Sequence, residues 1–185
     1  MDEINKIKYY DELPSTHLYI KENQDKLESG TVIIANKQTA GIGTHGRSWY
    51  TGSGDNIAMS MLFKPDCDLS SLNNITVDVA QSVKNVIKDL YDIDLSLKYP
   101  NDLLLNGKKI CGILTEINTI SGKINYLIIS LGFNVNEMGF DDETIKIATS
   151  LKKEYNKNFD RKEIILKIIE NINNIVKSRH KTIQN

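Results

Sequence analysis

The sequence has few cysteines and prolines, no excess of basic residues and no long apolar run. Its 185 residues include 2 Cys, 3 Pro and 11 Gly, which excludes a collagen-like or low-complexity chain. Because Cys67 and Cys111 form no CxxC pair and no Cys/His cluster, we expect reduced thiols, no zinc site and a cytoplasmic protein. Lys and Arg number 23 against 24 Asp and Glu, a balance that argues against a protein whose main task is binding nucleic acid.

Two further absences concern membranes and export. No apolar run approaches the roughly 18 residues that a transmembrane helix needs. The first residues, MDEINKIKYYDELPST, lack the apolar core of a secretory signal, so we expect neither membrane insertion nor export. No internal repeat and no linker is visible, and the length suits a single domain over residues 1–185.

The hydrophobic pattern predicts a mixture of helices and strands. The clearest helix covers residues 70–91, where apolar residues recur every three or four positions. A second long helix is predicted over 160–176, with a start at Asp160 and Glu163 that is typical of a capping box. A short helix is expected to begin at Pro14-Ser15-Thr16. Strands are predicted at 31–35, 56–63, 94–98, 103–105, 108–117 and 124–135.

Two features of these strands indicate the fold class. Asn106-Gly107 favours a type I′ turn, which makes a hairpin of the strands on either side. The strand over 124–135 is apolar on both faces and should therefore be central. We expect an α+β fold, with a mixed, largely antiparallel sheet covered by helices.

The first segment with chemical potential is residues 38–49, QTAGIGTHGRSW, which contains three glycines and follows a strand. Glycines allow backbone N–H groups to approach an anion, and Arg47 adds a fork of donors suited to phosphate or carboxylate. Trp49 offers a flat face to a base. A glycine-rich surface loop is the alternative interpretation. The segment is neither a dinucleotide fingerprint nor a P-loop, because no helical pattern and no Gly-Lys-Ser/Thr follows.

Three further segments combine charged, amide and glycine residues, and each is a weak signal alone. Residues 98–102, KYPND, also fit an ordinary polar turn. In 108–116, KKICGILTE, strict alternation predicts that Lys109 shares a face with Cys111, Ile113 and Thr115; a solvated hairpin tip also explains the two lysines. In 130–136, SLGFNVN, the glycine inside a strand marks a close approach of a ligand or another backbone.

In this order, the four segments resemble the catalytic domain of the biotin–protein ligases, which attach biotin to a lysine of a carrier protein. The family's glycine- and arginine-rich loop is similar to residues 38–49, and its lysine-aromatic-proline-asparagine-aspartate motif is similar to 98–102. The resemblance extends from about Tyr9 to the end of the chain. The family's lysine-x-x-glycine-isoleucine-leucine-x-glutamate strand is similar to Lys109–Glu116, and its glycine-x-asparagine strand is similar to Gly132-Phe133-Asn134. The start of the first family helix is similar to Ser15-Thr16.

The resemblance implies a fold like that of the class II aminoacyl-tRNA synthetases and a two-step reaction. Biotin and ATP, with Mg²⁺, give biotinyl-5′-AMP and pyrophosphate. A lysine of a biotin carboxyl carrier domain, that of acetyl-CoA carboxylase or another carboxylase, then displaces AMP. Metal binding by protein ligands alone is not expected, and a homodimer through sheet edges is suggested by the family.

The resemblance also implies roles for individual residues. Lys109 is expected against the biotin carboxylate and the adenylate phosphate, while Lys98 and Asp102 organise either ATP or the incoming lysine. The implied catalytic residues are Lys109, Arg47, Lys98 and Asp102. The implied biotin-binding residues are Ser15, Thr16, His17, Gln38, Gly41, Ile42, Gly43, Lys109, Gly112 and Gly132. The implied nucleotide-binding residues are Arg47, Trp49, Asn101 and Asn134.

The sequence departs from the family pattern at several points. Ile42 and Thr44 stand where the family loop carries arginines, which predicts a leakier adenylate or compensation by other cations. His17 stands where asparagine is usual, and Tyr99 where tryptophan is commoner. Many relatives carry a winged helix and a C-terminal barrel, and neither is expected in this chain. Without a winged helix, no operator binding is expected.

Two other functions stay open on the sequence alone. One is a lipoate or octanoate transferase of the same superfamily, against which the Lys98–Asp102 motif argues. The other is a catalytically weak biotin-binding or regulatory module, which the missing loop arginines favour. Pyrophosphate release that depends on both biotin and ATP separates the ligase from such a module.

Overall fold

One seven-stranded sheet organises the structure, a computed structural model that describes residues 6–49 and 55–179. The sheet order is first, second, third, seventh, sixth, fifth and fourth strand. The first two strands pair in parallel and the other five neighbouring pairs are antiparallel, which confirms the expected largely antiparallel α+β sheet. In chain order the strands are β1 (Ile7–Leu13), β2 (Val32–Gln38), β3 (Ile57–Phe63), β4 (Ser96–Lys98), β5 (Asp102–Leu105), β6 (Lys108–Ile120) and β7 (Lys123–Phe133).

Helices cover both faces of the sheet. On one face, the apolar stripes of the two long helices pack on the larger core, which also takes Val32 and Ile34 of β2. On the other face, Ile20 of the first helix packs against Ile33 and Ile128. No helix of the described residues is long and apolar enough to cross a membrane. The helices are α1 (Thr16–Asn23), α2 (Ile75–Tyr91), α3 (Thr144–Ile147), α4 (Leu151–Tyr155) and α5 (Arg161–Lys177).

Several predicted elements are confirmed. The Ser15 side chain accepts a hydrogen bond from the Leu18 N–H and caps α1, and Asp160 caps α5 through the N–H groups of residues 162 and 163. Asn106 and Gly107 have φ values of 51° and 79°, the left-handed conformation that a type I′ turn requires. The strand predicted at 124–135 is β7, the central strand of the seven.

The helix predicted over 70–91 is corrected by the structure. Residues Leu69–Leu72 form a separate 3₁₀ turn, and α2 begins only at Ile75. Asn74 lies between them with a φ of 63°, a left-handed conformation that asparagine tolerates better than most residues. The sequence pattern predicted one continuous helix because Leu72 and Ile75, on either side of the break, are buried in the same core and keep the apolar spacing.

The strict alternation predicted along residues 108–116 is also wrong. Leu103 pairs with Cys111 but Leu104 pairs with Lys109, so Ile110 is an extra residue and β6 bulges there. Ile110 and Cys111 are both buried in the core, and Lys109 lies on the opposite face with Gly112. Cys67 and Cys111, both within the described residues, are not joined by a disulfide, and burial raises the pKa of the Cys111 thiol.

Candidate functional site

The candidate site lies on the α1 face of the sheet, where β6 and β7 place two glycines side by side. Gly112 of β6 pairs with Gly132 of β7, and neither contributes a side chain above the sheet. The segment that follows β2, residues 39–49 (hereafter the glycine loop), extends across these glycines and ends at Trp49. The loop folds back on itself, since the Trp49 N–H donates to the Gly41 carbonyl at 2.8 Å. A recess is thus formed between the sheet, α1 and the loop.

The recess has two parts that meet at Lys109 and Trp49. The inner cavity has a volume of about 40 Å³ and the outer cavity about 600 Å³. Polar and glycine residues of the inner cavity are Ser15, Thr16, His17, Gln38, Gly43, Thr44, Asn101, Lys109, Gly112, Ser130 and Gly132, and Ile42 also lines it. The outer cavity is lined by Thr44, Arg47, Trp49, Lys98, Asp102, Lys109, Asn134, Phe140, Thr144, Lys146, Ile147 and Ala148, among others.

Most residues predicted for the site therefore lie around one recess. All the predicted biotin-binding residues line the inner cavity except Gly41, which acts through its backbone bond to Trp49. All four predicted catalytic residues line the outer cavity. The sequence alone could not bring these segments together, because they come from five separate parts of the chain.

Lys109 stands at the junction of the two cavities. Its Nζ lies 2.7 Å from Asp102 Oδ1 and 5.2 Å from the centre of the Trp49 ring. The side chain crosses Gly112, since a Cβ on that residue would lie 3.2 Å from both Cε and Nζ of Lys109. The Lys109 ammonium group therefore lies within reach of a ligand in the inner cavity and of a ligand in the outer cavity.

Trp49 fills the space above the two sheet glycines. A Cβ on Gly132 would overlap the indole ring, and one on Gly112 would lie 3.0 Å from Cζ3 of Trp49. The remaining inner volume holds little more than one water molecule, whereas ligand pockets of organic molecules measure about 300–1,000 Å³. The loop must move Trp49 before a ligand of that size enters.

The outer cavity is positively charged. Arg47, Lys98, Lys109 and Lys146 line it, while Asp102 is the only acidic side chain in its described lining. The Arg47 guanidinium is exposed and lies near its own turn, 3.4 Å from the Thr44 carbonyl. Such an arrangement stabilises a phosphorylated or carboxylated ligand, because cations held in place favour developing negative charge.

Two asparagines predicted for nucleotide binding have structural contacts. Asn101 donates to the Ile113 carbonyl at 3.1 Å and lines the inner rather than the outer cavity. Asn134 is buried and donates to the Thr149 carbonyl at 3.1 Å, at the edge of the outer cavity. Both amides hold neighbouring backbone in place.

The floor of the inner cavity joins α1 to β2. Gln38 Oε1 accepts the Thr16 N–H at 2.8 Å, so that the Gln38 amide is fixed at the start of α1. Thr16 and His17 are buried at the same point. The floor thus offers hydrogen-bonding groups to a polar ring.

Some lining residues were not identified from the sequence. The segment 140–148 closes the outer cavity, and it is held there because Ala148 bridges to Lys109 and the Lys108 Nζ donates to the Ile145 carbonyl at 2.8 Å. Its sequence carries no motif that predicts this contact. Among the described residues, no group of three or more His, Cys, Asp or Glu side chains is arranged to hold a metal ion.

Comparisons with known proteins agree with this geometry. Residues 9–134 match the model of the biotin/lipoate A/B protein ligase family. The chain is 37% identical over 164 residues to the bifunctional ligase/repressor BirA of Bacillus subtilis (strain 168), covering 87% of this chain and 50% of that protein. It is 26% identical over 160 residues to BirA of Escherichia coli (strain K12), covering 86% and 50%. The chain thus spans about half the length of these relatives.

Solved structures show the same fold. The biotin protein ligase of Aquifex aeolicus, in complex with biotin and ATP, superimposes with a TM-score of 0.81 at 30% sequence identity, covering 94% of this chain and 71% of that one. The biotin protein ligase of Leishmania major, in complex with biotinyl-5-AMP, gives a TM-score of 0.73 at 20% identity, covering 97% and 86%. At that identity the second likeness concerns the fold alone.

Proposed function

Because the chain belongs to the biotin/lipoate A/B protein ligase family, we propose that it activates biotin with MgATP and transfers the biotinyl group to a carrier-protein lysine. The observation that carries the proposal is the position of Lys109 at the junction of a polar inner cavity and a cationic outer cavity. Biotin occupies the inner cavity with its carboxylate toward Lys109, and the ATP phosphates occupy the outer cavity. The Aquifex aeolicus relative, a biotin protein ligase in complex with biotin and ATP, supports the choice of these two ligands.

In the first step, a carboxylate oxygen of biotin attacks the α-phosphorus of ATP. The bond to the β-phosphate oxygen breaks, and pyrophosphate leaves with the electron pair. Lys109 stabilises the negative charge on the α-phosphate; an ammonium about 4 Å from an oxyanion contributes roughly 4 kcal/mol at an effective dielectric near 20, before desolvation. Arg47, Lys98 and Lys146 neutralise the phosphates, and Mg²⁺ arrives as the counter-ion of ATP.

In the second step, the amine of the carrier lysine attacks the acyl carbon of biotinyl-AMP. An amide bond forms, the bond to the phosphate oxygen breaks, and AMP leaves. Asp102 is the acidic side chain in the described lining of the outer cavity, and it receives the proton that the amine loses. Lys98 lies on the exposed side of the same cavity and orients either ATP or the carrier.

The carrier that we propose is a biotin carboxyl carrier domain, that of acetyl-CoA carboxylase in the first instance. A Mycobacterium tuberculosis relative, 30% identical over 126 residues, is named biotin–[acetyl-CoA-carboxylase] ligase, which supports this choice. The reaction uses ATP and a carboxylase subunit and is proposed for the cytoplasm. A homodimer through the sheet edges also remains a proposal.

Biotin-dependent exchange of labelled pyrophosphate into ATP tests the proposal. We expect exchange with biotin and none with lipoate or octanoate at equal concentration. Exchange that prefers lipoate would assign the chain to the other branch of its family. Biotin binding without exchange would instead identify a regulatory binding module.

A further inference from the structure

At the floor of the inner cavity, four buried side chains form a continuous hydrogen-bonded chain, of which Thr16, His17 and Ser130 line the cavity. Thr16 Oγ1 lies 2.7 Å from Ser60 Oγ, and Ser60 Oγ lies 2.7 Å from Ser130 Oγ. Ser130 Oγ lies 2.9 Å from His17 Nδ1, and His17 Nε2 lies 3.0 Å from Oε2 of Glu116. The chain therefore connects a cavity-lining threonine to a carboxylate on β6. His17, Thr16, Ser60 and Ser130 are each less than a tenth exposed.

Glu116 determines which nitrogen of His17 carries the proton. Burial raises the pKa of Glu116, but hydrogen bonds from His17, Lys21 and Tyr126 outweigh it and hold the pKa below its ordinary value. An ionised carboxylate only accepts hydrogen bonds, so Nε2 of His17 is the protonated nitrogen. In the neutral ring, Nδ1 is then an acceptor, and it takes its hydrogen bond from Ser130.

The direction of every other bond in the chain follows. Ser130 has one hydroxyl proton, which goes to His17, and it accepts from Ser60, whose geometry fits the role of donor. Ser60 has then used its proton and accepts from Thr16, whose contact with Ser60 is shorter than its 3.2 Å contact with Gln38 Oε1. Thr16 thus keeps its oxygen lone pairs for the cavity.

We propose that His17 is a positioning residue which, through Ser130 and Ser60, makes Thr16 a hydrogen-bond acceptor for an N–H group of the bound ring. The inference rests on the proposed function, since the ureido ring of biotin carries such N–H groups. With a donor in place of Nδ1, Ser130 can no longer donate to residue 17 and the chain loses its direction. Ligand binding then weakens.

The titratable groups that face His17 come from each element around it. Glu116 of β6 contacts it directly, while Lys21 of α1 and the Tyr126 hydroxyl of β7 both bond to Glu116 rather than to the ring. Glu116 is therefore the group that holds the ring proton of His17 on Nε2.

Two substitutions of His17 distinguish the role of Nδ1 from that of Nε2. An asparagine amide can present an acceptor where Nδ1 lies, whereas a glutamine amide reaches the place of Nε2 and leaves Ser130 without that acceptor. We expect H17N to bind biotin within about threefold of the wild type, and H17Q to bind about tenfold or more weakly, the effect of one lost hydrogen bond. Thermal unfolding of both variants verifies that they fold.

Titration calorimetry with biotin at pH 8 provides the decisive comparison. H17Q should bind biotin about tenfold or more weakly than both the wild type and H17N, and because both variants carry a neutral amide, the difference between them reports the place of the acceptor and not a change of charge. Equal binding by H17Q and the wild type would overturn the inference.

Nuclear magnetic resonance of ¹⁵N-histidine separates this inference from the proposed function, because it needs no ligand. The signals absent from H17N identify His17, and we expect its proton on Nε2 at pH 8. A proton on Nδ1 would overturn the inference even if biotin binds. If the wild type binds no biotin while the proton lies on Nε2, the proposed function fails and the direction of the chain stands.

Discussion

Lys109 and Asp102 form an ion pair of 2.7 Å although they do not pair across their strands. Asp102 pairs with Gly112, and Lys109 reaches it by lying over that glycine. The bulge at Ile110 turns Lys109 to this face, and the missing side chain of Gly112 leaves its path open. A local irregularity of one strand thus determines where the central cation of the site lies.

Replacing Lys109 by alanine should reduce biotin-dependent pyrophosphate exchange by about 100-fold or more, because a preorganised cation is lost from the transition state. Steady-state exchange rates measure the loss. Lys123→Ala, at the exposed start of β7, removes an equal charge outside the recess and should leave the rate unchanged. A near-normal rate in Lys109→Ala would show that another cation has this role.

Asp102→Asn keeps the size of the side chain but removes its charge. We expect exchange to fall about 10- to 100-fold, because Lys109 is no longer held in position. The free energy of unfolding should change by less than about 1 kcal/mol, because the ion pair is partly solvated. The side chain of Lys109 is 33% exposed and that of Asp102 is 18% exposed. A large loss of stability with little loss of rate would contradict a positioning role for the carboxylate.

Trp49 is the 1 tryptophan of the chain, so its fluorescence reports on the glycine loop. Biotin should shift the emission maximum, because the indole must leave its position over Gly132 before the ligand enters. Gly132→Ala should shift the emission without ligand, since its Cβ occupies the place of the ring. Gly139→Ala, a methyl group added outside the recess, serves as the control, and equal spectra for all three proteins would contradict the position of the indole.

Glu116 should make unfolding depend on pH. Because its pKa is lower in the folded than in the unfolded state, the carboxylate stabilises the fold above its ordinary value of 4.5, and this stabilisation is lost as the pH falls through the folded value. Glu116→Gln should therefore be less stable than the wild type at pH 7, with a difference that narrows below pH 4.5. Denaturant unfolding at several pH values measures the difference in stability between the variant and the wild type, and Glu22→Gln, at an exposed position, is the control. A difference that stays constant with pH would contradict the lowered pKa of Glu116.

The sequence predicted the sheet class and the presence of the two long helices, and the residues that it marked by ordered motifs line one recess, because these features depend on hydrophobic period, turn residues and motif order. It could not predict the face on which Lys109 lies, since a bulge leaves no mark in an apolar strand. Ser60 was also missed, because a serine within a buried strand has no local pattern that indicates a partner on α1. The break before α2 was missed as well, because the left-handed conformation of Asn74 interrupts the helix although the apolar period continues through it.

Transfer to the carrier tests the central claim most directly. The protein is incubated with biotin, MgATP and the carrier domain of acetyl-CoA carboxylase, and the intact mass of the carrier is measured. We predict a gain of one biotinyl group that requires ATP and the carrier's acceptor lysine. An unchanged carrier mass, with the protein and the carrier at equal concentration, would contradict the account.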